Sequence, residues 1–221
     1  MRKSLLILLF SVFVLANVYS LPEFKLSAGT GLYAAGDFGG GYASKYIYGE
    51  YQGVTMDYFK TPYFGGGAFV FFDMTYIETS LGFFAAEGKW IYYDFDHNGI
   101  SDFSVFLTGL DIGLLLKYPF VIKKRFSIFP LAGINYRAVL ASSASSAYWT
   151  LDNKSGDFNA LWFKFGAGFD ISLTDRIYFR GNVLYGFRLE NEFEVKGDGS
   201  NPPYSLPGHG FDVKLAVGFR L

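Results

Sequence analysis

The 221-residue sequence predicts an all-β chain closed as an eight-stranded antiparallel up-and-down β-barrel. Three observations predict it. Apolar residues alternate with polar or small ones in eight separate segments, the connections between these segments are short and long in strict turn, and glycine gathers on the polar face.

The segments follow one another in order. The first sets Phe24, Leu26, Ala28 and Leu32 on one face and Lys25, Ser27, Gly29, Gly31 and Tyr33 on the other. Residues 64–72 and 77–85 come next, joined by a two-residue turn read at Asp73 and Met74, which places Phe72 opposite Thr75. Residues 106–118 and 126–140 are the fourth and fifth segments. In the sixth, the apolar row Leu161, Phe163, Phe165, Ala167, Phe169 and Ile171 alternates with Trp162, Lys164, Gly166, Gly168, Asp170 and Ser172. Residues 177–189 and 211–221 complete the series.

The joins at 73–74, 119–125 and 174–176 are short, whereas those at 35–62, 87–102, 141–159 and 190–210 are long and polar or glycine-rich. Tight turns at one end and long loops at the other belong to barrels of the bacterial outer membrane, where the turns are periplasmic and the loops extracellular. An even number of strands leaves both ends of the barrel chain on the periplasmic side.

Periodicity alone does not say which face is inside, because a soluble barrel hides the apolar face and a membrane barrel hides the polar one. Glycine decides. Gly29, Gly31, Gly65, Gly67, Gly82, Gly109, Gly113, Gly133, Gly166, Gly168, Gly186 and Gly218 share the polar face. An eight-stranded barrel has an interior barely wide enough for side chains, so the small residues belong inside. The apolar face then points to lipid, with Phe24, Phe72, Tyr118, Phe126, Phe179 and Phe219 in a lower aromatic girdle and Phe83, Tyr136, Phe163, Phe187 and Phe211 in an upper one. The predicted fold class is therefore a transmembrane β-barrel.

Composition agrees. The chain is 51% hydrophobic and 21% aromatic but only 18% charged, yet beyond the N-terminus no uninterrupted apolar run reaches the ~20 residues of a membrane helix. Cysteine is absent, so the fold rests on burial and backbone pairing. A net charge of −1 gives no electrostatic basis for nucleic-acid binding. At the front, Arg2 and Lys3 precede an apolar run from Leu5 to Leu15 and then short residues, the layout of a secretory signal peptide. Cleavage after Ser20 uses Val18 and Ser20 as recognition positions, and cleavage after Ala16 uses Val14 and Ala16. The expected organisation is a signal peptide over 1–20 and an outer-membrane barrel domain over 21–221.

The chain stops on KLAVGFRL, where Leu215, Val217, Phe219 and Leu221 alternate with Lys214, Ala216, Gly218 and Arg220. Lys214, Ala216, Phe219 and Leu221 have the spacing of the terminal assembly signal of outer-membrane barrels. Many such proteins have glycine in place of Ala216 and phenylalanine in place of Leu221. The mature chain resembles the small eight-stranded outer-membrane barrels of the OmpX, OmpW and OmpA-transmembrane-domain kind. That resemblance implies a bacterial outer membrane, with membrane lipid and the barrel-assembly machinery as partners.

Inside the barrel the alternation places Glu78, Asp111, Asp170 and Asp212 together with Arg137, Lys164, Arg180, Arg188, Lys214 and Arg220. Buried charges must pair. Setting Leu173 opposite Ile177 puts Asp170 across from Arg180 and Trp162 across from Arg188, while Phe71, Leu115 and Phe129 make the periplasmic end of the inward face apolar. Two functions fit this interior: a plugged anchor for surface loops, and a narrow porin-like channel for small or hydrophobic solutes. The loops add two signals. Tyr42, Tyr46, Tyr48, Tyr51 and Tyr58 supply stiff contact area for an extracellular ligand or host surface, or else extend the strands above the membrane. Asp94, Asp96, Asn98 and Asp102 in DFDHNGISD resemble a calcium loop, although the closing acid of an EF-hand falls on Val105. Ca2+ in this loop is the one candidate cofactor. Ser205, His209 and Asp212 are near in sequence but match no catalytic motif, so a lipid- or peptide-acting barrel enzyme is the remotest reading and the chain is expected not to be an enzyme.

Overall fold

Alternation at period two becomes backbone pairing along the chain. The computed structural model describes residues 24–41, 58–93, 99–145, 159–189, 192–193, 204–205 and 208–221. The expected signal peptide lies outside them. The strands are β1 (Ser27–Gly41), β2 (Tyr58–Asp73), β3 (Ile77–Tyr93), β4 (Gly99–Lys117), β5 (Phe120–Lys123), β6 (Phe126–Ser145), β7 (Ala160–Ser172), β8 (Ile177–Arg188), β9 (Glu192–Phe193), β10 (Tyr204–Ser205) and β11 (Gly208–Arg220). Each long strand pairs antiparallel with its neighbours, β11 returns to β1, and β4 pairs with β6, so eight strands close into a ring. Short β5 resumes the β4 ladder below Pro119, which has no N–H to donate. Strands β9 and β10 form a separate two-residue ladder.

The register sets the barrel's dimensions. Following Cα partners from Ser27 through Asp73, Glu78, Leu115, Gly133, Lys164, Gly186 and Gly210 returns to Asp37, ten residues further along β1. With ordinary strand spacings, a shear of ten over eight strands corresponds to a tilt of about 40° and a backbone radius of about 8 Å. Such a ring has room for side chains and little else.

Faces fall as alternation requires. Leu32, Leu81, Leu116, Val183, Leu215 and Phe219 point outward and are exposed, while Tyr33, Phe71, Phe84, Leu115, Phe129 and Leu184 point inward and are buried. Glycine on the inner face makes room for large neighbours. A Cβ at Gly218 would overlap the Tyr178 ring, and one at Gly29 would overlap Phe71. Tyr178 exploits that space to bring its hydroxyl within 2.8 Å of Ser27 Oγ.

The structure corrects three local expectations. First, the strands outrun the predicted segments at the loop end: β1 continues past Ala35 to Gly41, β3 past residue 87 to Tyr93, and β6 past residue 141 to Ser145. A tilted strand needs only about 9–11 residues to cross a bilayer, so the surplus is hairpin, held by backbone pairing where the apolar alternation has already faded. The pairing carries one irregularity between Thr108 and Gly109 and another between Tyr92 and Tyr93.

Second, the first short turn lies at Thr75 and Tyr76, and Phe72 stands opposite Thr79 instead of Thr75. Met74 N–H donates to the Ile77 carbonyl at 2.8 Å, closing a two-residue turn with Thr75 at φ 66°. Asp73 Oδ1 accepts from Thr75 N–H at 2.9 Å, and the Thr75 hydroxyl both donates to the Lys25 carbonyl and accepts from Lys25 N–H. These bonds compensate the left-handed backbone. The displacement is an even number of residues, so every side chain keeps its face.

Third, the short-turn end of the lumen, expected to be apolar, is not simply so. Phe71, Leu115 and Phe129 are buried there, but Asp73, Lys117 and Arg180 are buried among them.

Candidate functional site within the barrel lumen

Two layers of charge fill the lumen. In the layer nearer the short turns, Arg180 on β8 meets three carboxylates. Its Nε and Nη2 donate to Asp170 at 2.7 and 2.8 Å, its Nη1 donates to Glu78 Oε2 at 2.7 Å, and Nη2 also reaches Asp73 Oδ2 at 2.5 Å. Lys117 Nζ donates to the same Asp73 oxygen at 2.5 Å. The two-pronged bond to Asp170 follows from register, because the β7–β8 hairpin sets these residues opposite each other, as it does Trp162 and Arg188. The Arg180 guanidinium lies 4.9 Å from the Phe71 ring centroid, 5.3 Å from Phe129 and 5.1 Å from Tyr178. The three rings stand within cation–π distance of the guanidinium, while its N–H groups are taken by the carboxylates.

The second layer lies towards the loops. Arg137 on β6 donates to Asp37 on β1 and stands 3.6 Å from Asp111 on β4. Asn135 donates to Asp111 Oδ1 at 2.5 Å and to the Ile112 carbonyl at 3.2 Å. Lys164 on β7 donates to Asp212 on β11. Phe84 lies 4.9 Å from the Arg137 guanidinium, and Lys214 Nζ is 5.7 and 5.3 Å from the rings of Tyr33 and Phe69. Trp162 is surrounded by Arg137, Lys164 and Arg188, each within 6 Å of its ring.

Of the residues singled out in the sequence, Glu78, Asp111, Arg137, Lys164, Arg180, Asp212 and Lys214 lie buried in this interior, with Asp170 part-buried beside Arg180. Arg188 stands at the loop end over Trp162, and Arg220 stands at the short-turn mouth of the barrel, where it donates to Ser172 Oγ at 2.6 Å. Sequence reasoning missed Asp37, Asp73 and Lys117. Asp37 falls in the first long connection, although extending the first alternation through Tyr33 and Ala35 reaches it. Asp73 falls in the expected turn, and Lys117 shares the parity of Asp111 and Leu115 on β4.

The other candidates do not converge with the lumen. Asp94, Asp96 and Asn98 lie outside the described residues, while Asp102 stands opposite Ile91 in the β3–β4 ladder. Among the described residues, no group of three or more histidine or acidic side chains is placed to hold a metal. His209 is exposed on the outer face, 5.7 Å from the Phe38 ring and 6.1 Å from that of Tyr185, whereas Asp212 is buried inside beside Lys164. They do not form a shared site. Lys214 and Ala216 point inward, and Phe219 and Leu221 point outward.

No family model and no curated protein sequence matches the chain. Among solved structures it is similar to the outer membrane protein OprG from Pseudomonas aeruginosa, at 13% identity and TM-score 0.53, covering 91% of this chain and 98% of that one. Weaker likenesses link it to Ail, the attachment invasion locus protein of Yersinia pestis, at 11% identity and TM-score 0.39 with 90% and 100% covered. Neisserial surface protein A is similar at 11% identity and TM-score 0.38, with 88% and 99% covered.

The closed ring, the apolar outer face and the polar filled interior define a small eight-stranded transmembrane β-barrel of the bacterial outer-membrane type. The similarity to OprG is a similarity of fold.

Proposed function

We propose that the protein is an integral outer-membrane anchor whose barrel holds extended hairpins on the extracellular side and does not itself conduct. The observation that carries this reading is the pair of arginines, Arg180 and Arg137, that cross the lumen at two heights and are stacked on Phe71, Phe129 and Phe84. A solute path would have to part both layers of buried ion pairs, and removing either partner of such a pair is costly. The surplus strand length beyond the bilayer supports surface contact through the hairpins and the tyrosine-rich segment near Tyr42–Tyr58, with an extracellular ligand or host surface as partner. On this reading residues 1–20 direct export and are removed, Phe219 and Leu221 engage the barrel-assembly machinery, and no catalytic step is involved. The calcium-like pattern at Asp94–Asp102 forms no part of it.

Planar-bilayer recording on the refolded chain tests the proposal. A silent, correctly inserted barrel is the expected result. Reproducible single-channel steps would replace the anchor by the narrow channel.

A further inference from the structure

We propose that the periplasmic rim between the β5–β6 turn and the end of β11 binds the anionic headgroup of a membrane phospholipid, with its acyl chains against the adjoining apolar wall. This inference rests on the outer-membrane orientation proposed above.

The site begins with an irregularity in the sequence. Pro119 interrupts the β4 ladder, but pairing resumes in β5, where Phe120 stands opposite Ile128 and Val121 opposite Ser127. The hairpin ends beside the β7–β8 turn, where the Arg125 carbonyl accepts from Ser172 N–H at 2.8 Å, and its tip is the run Lys123, Lys124, Arg125, all exposed. Val121 and Ile122 beside it are also exposed, at 63% and 54%. A tip that is cationic at its end and apolar on its flank matches the boundary between headgroups and hydrocarbon.

Across a cavity of about 710 Å³, Lys124 and Arg125 face Arg220, while Phe24, Leu26 and Leu221 supply an apolar side. Arg220 is already oriented. It donates to Ser172 Oγ at 2.6 Å and to the Asp175 carbonyl at 3.1 Å, and its guanidinium lies 5.2 Å from the Tyr178 ring. Both oxygen partners are neutral, so its charge is held in place without being cancelled. Among the described residues, no carboxylate lies within ion-pair distance of Lys124, Arg125 or Arg220. Lys123 and Arg176 add exposed positive charge around the rim, against Asp175, which lines the same cavity.

This differs in kind from the lumen, where every charged layer contains its own counter-ions. Here the cations are gathered at one end of the barrel, next to the outward rings of Phe24 and Phe219, at the height where headgroups lie. A ligand that satisfies both walls must carry negative charge at one end and hydrocarbon at the other. An anionic phospholipid of the adjacent leaflet meets that requirement, and a zwitterionic one meets only half of it.

The test uses the full mature chain refolded into nanodiscs of equal parts phosphatidylglycerol and phosphatidylcholine, with retained lipid measured by native mass spectrometry. Phosphatidylglycerol should be retained over phosphatidylcholine by about fivefold or more, each of Lys124→Gln, Arg125→Gln and Arg220→Gln should lower that preference, and the triple variant should show none. Raising the salt should weaken the wild-type preference in parallel. Heat-modifiable gel mobility, which reports the folded barrel, should stay unchanged in the two turn variants because their side chains touch no core residue. Equal retention of the two lipids, a preference that survives all three substitutions, or displacement of the lipid by inorganic phosphate would overturn the inference while leaving the membrane reading intact. A wild-type chain that does not enter nanodiscs at all would overturn both.

Discussion

Arg137 on β6 donates a hydrogen bond to Asp37 on β1, four strands away in either direction around the ring of eight. Arg180 on β8 and Glu78 on β3 stand in the same relation nearer the short turns. Each arginine is a strut across a diameter, joining walls that share no backbone hydrogen bond. A guanidinium suits that role because its five donors fan out in one plane, so one side chain can satisfy acids from several strands while its faces pack on rings.

Removing the lower strut should be costly. In Arg180→Met, Asp73 keeps Lys117, but Glu78 and Asp170 lose their ion-pair partner while buried or part-buried, and a loss of about 3–5 kcal/mol is expected. Adding Glu78→Gln and Asp170→Asn to that variant should recover part of the loss, since fewer charges are then stranded. Urea unfolding in lipid vesicles measures both. A loss under about 1 kcal/mol in the single variant would mean that the strut does not hold the barrel together.

Glycine substitutions should divide by face. Gly218 lies against the Tyr178 ring, which is buried and hydrogen-bonded to Ser27, so Gly218→Val should overpack the lumen and cost about 1–3 kcal/mol or prevent folding. Gly181 lies under the outward, partly exposed Phe169 ring, which neighbours Phe126 and Phe179 and can shift outward where no lumen residue opposes it. Gly181→Ala should therefore leave folding yield and heat-modifiable mobility close to wild type. Equal damage at the two positions would contradict the assignment of inside and outside.

The end of β11 offers a closer comparison, between adjacent residues. Phe219 points outward and is 51% exposed, whereas Arg220 turns to the short-turn mouth and is held by Ser172 and the Asp175 carbonyl. Phe219→Asp should reduce assembly into the outer membrane, because the charge loses hydration and the girdle loses an anchor. Arg220→Gln should assemble normally, since water at the mouth can replace what the guanidinium bonded. Outer-membrane fractionation reads both, and a well-assembled Phe219→Asp would be the contrary result.

Orientation in the membrane is open to proteolysis. Protease added to intact cells should cut within residues 42–57 or 194–203 and spare the turns at Thr75 and Thr174, which lie at the opposite end of the strands. Cutting only at the two turns would invert the barrel and move the basic rim to the cell surface.

The sequence by itself determined the strand count, the closure and the facing of almost every residue, because a period of two leaves each side chain only two directions and the narrow interior admits small residues on just one of them. Even the displaced turn at Thr75 left those faces unchanged, since the slip was an even number of residues. What the tertiary structure decided is which buried charges meet. Asp170 and Arg180 are hairpin neighbours and could be paired from local register, but Glu78 meets Arg180, and Asp37 meets Arg137, only across the ring. Their heights depend on the ten-residue shear accumulated over all eight strands, a quantity no single segment contains. The same holds for the basic rim: Arg220 is far along the chain from the adjacent Lys124 and Arg125, and they line one cavity because the end of β7 stands between them, Ser172 N–H donating to the Arg125 carbonyl while its Oγ accepts from Arg220.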